Sequence, residues 1–221
     1  VATTPLRVYG GVTGSDRQAE RRALFIESGL ELLGSPDGEA ALTVRGVCRQ
    51  AGLANRYFYE SFTDRDELAT AVYDHVVNEI ATTALDAVAV VQEPERKVRT
   101  GLARIVRLIA DDPRRGRLLF SPFLSGTPLV HRRTESTRLF TQLLGTQARQ
   151  VYGMQGSTRL ELLSGFLVGG LAQTLTTWLD GELDATEPEV VEWCAEIFLA
   201  TSEFPQQPGR TSIHVPDGSE P

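Results

Sequence analysis

The chain has 221 residues, 41% of them hydrophobic and 23% charged, with a formal net charge of −7. That length suffices for one or two domains with a sizeable core, and the hydrophobic share is ordinary for a soluble globular protein. A negative total argues against a nucleic-acid partner only until the charge is mapped along the chain. Ala40–Tyr59 carries Arg45, Arg49 and Arg56 and no acid, Arg96–Arg159 is strongly basic, and Leu160–Phe204 holds acids and no base. Local sign is therefore the better guide to binding. Cys48 and Cys194 lie far apart on apolar helical patterns and read as buried free thiols, which suits a reducing cytoplasm. No apolar run approaches the ~20 residues that span a bilayer. Val1–Arg22 lacks a signal-like apolar core. The expectation is a cytoplasmic protein without a membrane partner.

Val1–Ser15 is rich in Gly and Thr, has no periodicity, and is expected to be a flexible arm. A helix should start near Asp16, with Phe25, Ser28, Gly29, Leu32 and Leu33 at helical spacing. Ser35-Pro-Asp-Gly38 ends it with turn chemistry. Thr43 is a good N-cap for a helix over Val44–Ala51, whose inner face is Val44, Val47, Cys48 and Ala51. Gly52 fits the left-handed residue that closes it. A third helix runs through Phe62, and Asp64 with Glu67 forms a capping pair that opens a long helix to about Leu85. Glu93-Pro94 breaks the chain before an amphipathic helix marked by Leu102, Ile105, Val106 and Ile109. Asp112-Pro113 restarts it into Arg114–Phe120. After an irregular stretch, helices follow over about Leu129–Tyr152 and Arg159–Leu179. A last helix opens with Pro188 in its first turn and runs to about Phe204. The tail Pro205–Pro221 is expected to be disordered. With no convincing strand, the fold class is all-α with about nine helices.

The segment Leu42–Phe62 has the layout of a helix-turn-helix: two short helices broken at a glycine, the second carrying exposed arginine and aromatic side chains. Ala51 and Gly52 let the two helices pack closely. Phe58 and Phe62, four apart, can face the core. Asn55, Arg56 and Tyr57 then fall on the part of the second helix that reaches base edges. Arginine donates two hydrogen bonds to guanine O6 and N7, Asn55 could read adenine or a phosphate, and Tyr57 could touch a thymine methyl. Thr43, Arg45, Tyr59 and Arg65 lie at helix starts or flanks, where phosphate contacts set register without reading sequence.

Thr43-Val-Arg, Ala51-Gly-Leu, Tyr59 and Phe62-x-x-Arg65-x-x-Leu68 together resemble the N-terminal domain of the TetR-type transcriptional regulators. The preceding Arg21-Arg22 and Leu30-Glu-Leu-Leu fit the same pattern, and the likeness covers about Asp16–Thr83. Ala54 departs from it, standing where Ser or Thr normally caps the recognition helix, so Asn55 could take over that role. Gly46 replaces a commoner polar residue. The resemblance implies an arm at 1–15, a helix-turn-helix domain at 16–63, a helical ligand-binding and dimerisation domain at 64–204, and a tail at 205–221. It also implies a homodimer that binds a double-stranded palindromic operator and is released by a small-molecule effector, most often as a repressor.

In the C-terminal part, Phe166, Gly169, Gly170, Gln173 and Thr177 offer a helix face that another helix can approach. Val190, Cys194, Ile197 and Phe198 on the last helix would complete an intersubunit bundle. Phe120, Phe123, Leu124, His131, Thr137, Phe140, Thr141 and Gln173 mix apolar walls with a few polar groups, as ligand sites do. The basic block Arg96–Arg159 admits two readings: solvated helix faces balancing the acidic C-terminal helices, or a site for an anionic or acyl-thioester effector. Three histidines, His75, His131 and His214, do not make a metal or catalytic cluster. No H-E-x-x-H, Walker, G-x-G-x-x-G or G-x-S-x-G motif is present. The expectation is a non-enzyme with no cofactor and no metal. The competing reading is a helical ligand-binding or adaptor protein that does not bind specific DNA.

Overall fold

A computed structural model of the chain describes residues 14–121, 124, 126–153 and 156–201. Among these residues the regular structure is entirely helical: α1 Gly14–Leu33, a single 3₁₀ turn Gly38–Ala40, α2 Val44–Ala51, α3 Asn55–Tyr59, α4 Arg65–Ala89, α5 Pro94–Ala110, α6 Pro113–Phe120, α7 Thr127–Tyr152, α8 Thr158–Leu179 and α9 Glu187–Ala200. The expected tail 205–221 and all but two residues of the expected arm 1–15 lie outside the described residues. Gly14 and Ser15 belong to α1, so that helix starts earlier than its Asp16 cap suggested.

Local chemistry sets most of the boundaries. The Thr43 hydroxyl accepts from the Gly46 amide at 3.0 Å to open α2, and the Asp64 carboxylate accepts from the Asp66 and Glu67 amides to open α4. Glu67 reaches one residue further back and accepts from both the amide and the hydroxyl of Thr63. Those bonds hold its carboxyl below the usual range. Gly52 sits at φ 66°, the left-handed conformation that ends α2 at no steric cost. Prolines occupy the first turns of α5, α6, α7 and α9, where no amide is needed. Helix α3 is shorter than expected. It ends at Tyr59, and the amides of Ser61 and Phe62 both donate to the Phe58 carbonyl in a closing turn. Helix α4 is longer, to Ala89, because nothing breaks it before Pro94.

One core joins the helices. Phe25 of α1, Val47 of α2 and Phe58 of α3 are fully buried against Leu68, Val72 and Val76 of α4. Phe25 meets Phe58 edge-on at 5.6 Å between ring centroids and Phe62 at 6.3 Å. Further along the chain α4 packs on α5 and α7, α5 on α9, and α7 on α8.

Two expectations about the C-terminal helices change. Val190 and Cys194 are buried inside the protomer, where α9 packs on α5, so neither is on a face open to a second copy. Burial also raises the Cys194 thiol pKa. Helix α8 is, by length and composition alone, apolar enough to cross a membrane, with a mean hydropathy of 1.3 over its best window. That corrects the expectation that no apolar run reaches this length. The reason is that α8 is apolar on two sides. Leu160, Leu163, Leu167 and Leu175 face inward, while Leu162 and Phe166 face out, Phe166 with 71% of its surface exposed.

Candidate DNA-binding surface and ligand cavity

Helices α2 and α3 meet at Gly52 as a helix-turn-helix, and the residues on their outer side are those without a place in the core. Thr43, Arg45, Asn55, Arg56, Tyr59 and Arg65 are all exposed. Tyr59 stands out as a large aromatic ring with 62% of its surface open. Arg65 is the first residue of α4 and lies 3.5 Å from Asp66, a weak surface pair. Ala54 takes the N-cap position of α3 without a side-chain bond, and Asn55 already lies within the helix, so Asn55 does not act as the cap. Gly46 also has a reason: a Cβ there would stand 2.9 Å from the Thr43 hydroxyl and 3.0 Å from the Ala41 carbonyl. The glycine is what lets the Thr43 cap close.

Tyr57 is placed differently from the expectation of a base contact. Its ring is half-buried against the core. The guanidinium of Arg21 lies over it at 4.5 Å, as does that of Arg56. Arg56 donates to the Tyr57 hydroxyl at 2.5 Å. That bond raises the already high pKa of Arg56. Tyr57 thus serves as a shelf that orients Arg56, because the ring turns toward α1.

Helix α1 holds this unit from behind. Gln18 donates to the Glu60 carbonyl at 3.1 Å, Arg21 pairs with the Glu60 carboxylate at 3.3 Å, and Arg22 donates to the Ser61 carbonyl at 2.7 Å while covering the Phe62 ring. The other end of α1 is tied to α6. Arg114 donates to Glu27 at 2.8 Å and to Glu31 at 2.7 Å, and Arg117 donates to the Gly34 carbonyl at 2.7 Å. Asp112 caps α6 through the Arg114 amide and also binds the Arg114 guanidinium, which holds its carboxyl below the usual range. A depressed carboxyl contributes stability that is complete above its unfolded pKa of about 3.9 and is lost as pH falls through the folded value. We therefore expect Asp112→Asn, which can still cap α6, to unfold at lower urea than the parent at neutral pH. The gap between the two should close as pH drops below about 4. A constant gap across that window would refute the role of the charge.

Behind α6 lies an elongated cavity of about 400 Å³ between α4, α5, α7 and α8. Its wall runs along α4 from Tyr73 to Val88. At ~1.5 Å per residue that stretch spans roughly 22 Å. The lining is overwhelmingly aliphatic, with Ile80, Leu102, Ile105 and Leu163 among it, and its polar members include Thr137, Ser164 and Thr201 besides groups toward the two ends. Tyr73, Arg133 and Ser136 lie at one end and Lys97 and Gln147 at the other. Of the residues expected around a ligand, Phe120, Thr137 and Phe140 border this cavity. Leu124 does not: it is buried near Gly38. His131 is exposed and pairs with Glu135 at 3.1 Å, one helical turn on. Thr141 turns its methyl toward Gly165 of α8, at the α7–α8 contact. Gln173 is exposed near Thr177, to whose hydroxyl it donates. Phe123 lies outside the described residues. The polar ends, Tyr73, Arg133 and Lys97, had no distinguishing signal in the sequence.

The remaining residues proposed for self-association divide. Phe166, Gly169, Gly170 and Gln173 are exposed along one stripe of α8, which continues to the partly buried Thr177, and a Cβ on either glycine would meet nothing within 4 Å. On α9, Ile197 is 56% exposed and Trp193 47%. Phe198 instead turns inward, packs on the core and borders the cavity. Much of the basic block is paired within the chain. Arg99 forks onto Glu192 at 3.0 Å between α5 and α9, Arg115 binds Glu79 at 2.8 Å, and Arg132 reaches Asp74 at 3.4 Å.

No protein-family model matches the chain. Its architecture does match solved structures. The fatty acid degradation regulator FadR from Bacillus halodurans superposes with a TM-score of 0.70 at 14% identity, over 81% of this chain and 94% of that one. The transcriptional regulator FadR from Bacillus subtilis, solved in complex with stearoyl-CoA, gives 0.68 at 15% identity, over 80% and 97%. A TetR-like transcriptional regulator from Rhodococcus sp. RHA1 gives 0.61 at 16%, over 82% and 97%. With a helix-turn-helix held between α1 and α4 and the helices α5–α9 behind it, the chain has the TetR-type fold.

Proposed function

We propose that the protein is a DNA-binding transcriptional regulator that works as a homodimer and responds to a small apolar effector. The observation that carries this reading is the α2–α3 unit. A left-handed Gly52 and a Thr43 cap build a helix-turn-helix whose outer face presents Arg45, Asn55, Arg56 and Tyr59 and no acid. That local field is positive although the chain as a whole is negative. An adaptor that does not touch DNA would have no use for such a face.

A dimer follows from the exposed apolar stripe of α8 and from Trp193 and Ile197 on α9. Contiguous apolar surface of this kind marks an interface, and a two-fold axis would pair each helix with its own copy. Two recognition helices ~34–36 Å apart would fit a palindromic operator. The cavity supports a ligand that is long and mostly hydrocarbon, in keeping with the stearoyl-CoA bound by the Bacillus subtilis relative in fold. The effector would favour a spacing of the recognition helices that the operator does not fit, which makes the protein a repressor relieved by its ligand.

The test is a binding selection on random duplexes with the full chain, followed by mobility shifts. An enriched palindrome is expected. Arg56→Ala should then cost ~1–3 kcal/mol and relax preference at one base pair per half-site. Arg45→Ala should weaken all sequences alike and flatten the salt dependence. Absence of any enriched sequence would favour the adaptor reading.

A further inference from the structure

The cavity wall is aliphatic almost throughout, yet Arg133 is built into it. Among the described residues its guanidinium is bound only through Nη2, which donates to the carbonyls of Leu118 at 3.2 Å and Ser121 at 2.7 Å. Its Nε is buried and has no hydrogen-bond partner among the described residues. Among the described residues no carboxylate lies within ion-pair distance of it, although neighbouring Arg132 has two. Burial accordingly pulls the Arg133 pKa down, with only Tyr73 and the more distant Glu39 opposing. The two hydroxyls beside it already bond to each other. Ser136 donates to the Arg133 carbonyl at 3.0 Å, which leaves Tyr73 to donate to the Ser136 hydroxyl at 2.9 Å. The donors left over on Arg133 are its buried Nε–H and the two N–H groups of Nη1, and the charge left unbalanced among the described residues is that of Arg133.

An uncompensated cation beside an apolar cavity is costly unless an anion comes to it. A neutral carbonyl would satisfy one of these donors and leave the charge. A carboxylate satisfies both, and arginine is the side chain best shaped for it. We propose that the cavity takes a free long-chain carboxylic acid, with its carboxylate on Arg133 and its chain running along α4 toward Val88. This rests on the ligand-responsive reading above and names the head group within it. The same guanidinium holds the last carbonyls of α6, the helix that bridges to α1 through Arg114. An anion drawn to Arg133 would therefore be felt at the near end of that bridge.

The experiment is titration of the full chain with palmitate, methyl palmitate and palmitoyl-CoA, by calorimetry or displacement of a fluorescent fatty acid. Palmitate should bind more tightly than the methyl ester by about tenfold or more, the value of a charge-assisted hydrogen bond. Arg133→Met should lower palmitate affinity by about the same factor. Binding of the ester should be unchanged in that variant, which shows that the cavity still forms. Arg133→Lys, which keeps the charge, should retain part of the preference for acid over ester. Lys97→Met, at the far end, should leave the preference for acid over ester unchanged. Equal affinity for acid and ester, equal loss of both in Arg133→Met, loss of the acid preference in Lys97→Met, or tighter binding of the thioester would each overturn the proposal. Operator binding of the same preparations, measured without ligand, reports separately on the regulator reading.

Discussion

Replacing Phe58 with alanine should destabilise the protein by about 3–5 kcal/mol, whereas replacing its neighbour Tyr59 should change stability by less than about 0.5 kcal/mol. Phe58 is fully buried and touches three rings: Phe25, Phe62 and Tyr59. Truncating it removes the transfer energy of the side chain and leaves a hole that α1, α3 and α4 cannot close, since each is fixed by its own contacts. Such a loss is a large part of the ~5–15 kcal/mol that holds a domain together. Urea midpoints of the two variants decide the matter. Equal losses would mean that α3 is not seated as described. DNA affinity should run the other way, with Tyr59→Ala folded but impaired.

The second large effect concerns the outer face of the C-terminal helices. Phe166→Glu combined with Ile197→Glu should convert a dimer to a monomer and lower operator affinity by about a hundredfold or more, the usual gain from linking two half-site contacts. Both side chains are more than half exposed in the protomer, so charge there leaves the core intact. At a closed interface the same charges would be buried without partners, which costs several kcal/mol each (~3–5 for an unpaired charge). Sedimentation gives the oligomeric state and thermal unfolding the integrity of the protomer. A dimer that persists in the double variant would remove α8 and α9 from the interface.

How much of this was legible beforehand depends on the range of the chemistry. The helix-turn-helix is written in neighbours: Thr43 caps three residues ahead, Gly52 closes the helix it follows, and Phe58 and Phe62 share a face because they are four apart. What went astray there was Tyr57. Its ring is set by Arg21, a residue from a different helix, and a five-residue α3 has too little periodicity to say which way it turns. In the C-terminal helices the difficulty is of another kind. Helices α8 and α9 are apolar over most of their circumference, so sequence cannot tell the inward Val190 and Cys194 from the outward Trp193 and Ile197. The cavity leaves no periodic trace, because its wall residues Ile80, Leu102 and Leu163 repeat exactly as filled core does. His131 is the opposite case: Glu135 one turn later marks a surface pair.

Helix α1 is touched at its two ends by two different partners. Gln18, Arg21 and Arg22 grip the residues that follow α3, while Glu27 and Glu31 are gripped by Arg114 of α6. The distance from Gln18 to Glu31 along the axis is roughly 20 Å, at ~1.5 Å per residue. Over that arm, a tilt of about 3° at the α6 end carries the other end through about 1 Å, twice the ~0.5 Å window within which a hydrogen bond to a base edge survives. On the DNA-binding function proposed above, so small a displacement at the α6 end would be enough to take Arg56 out of register.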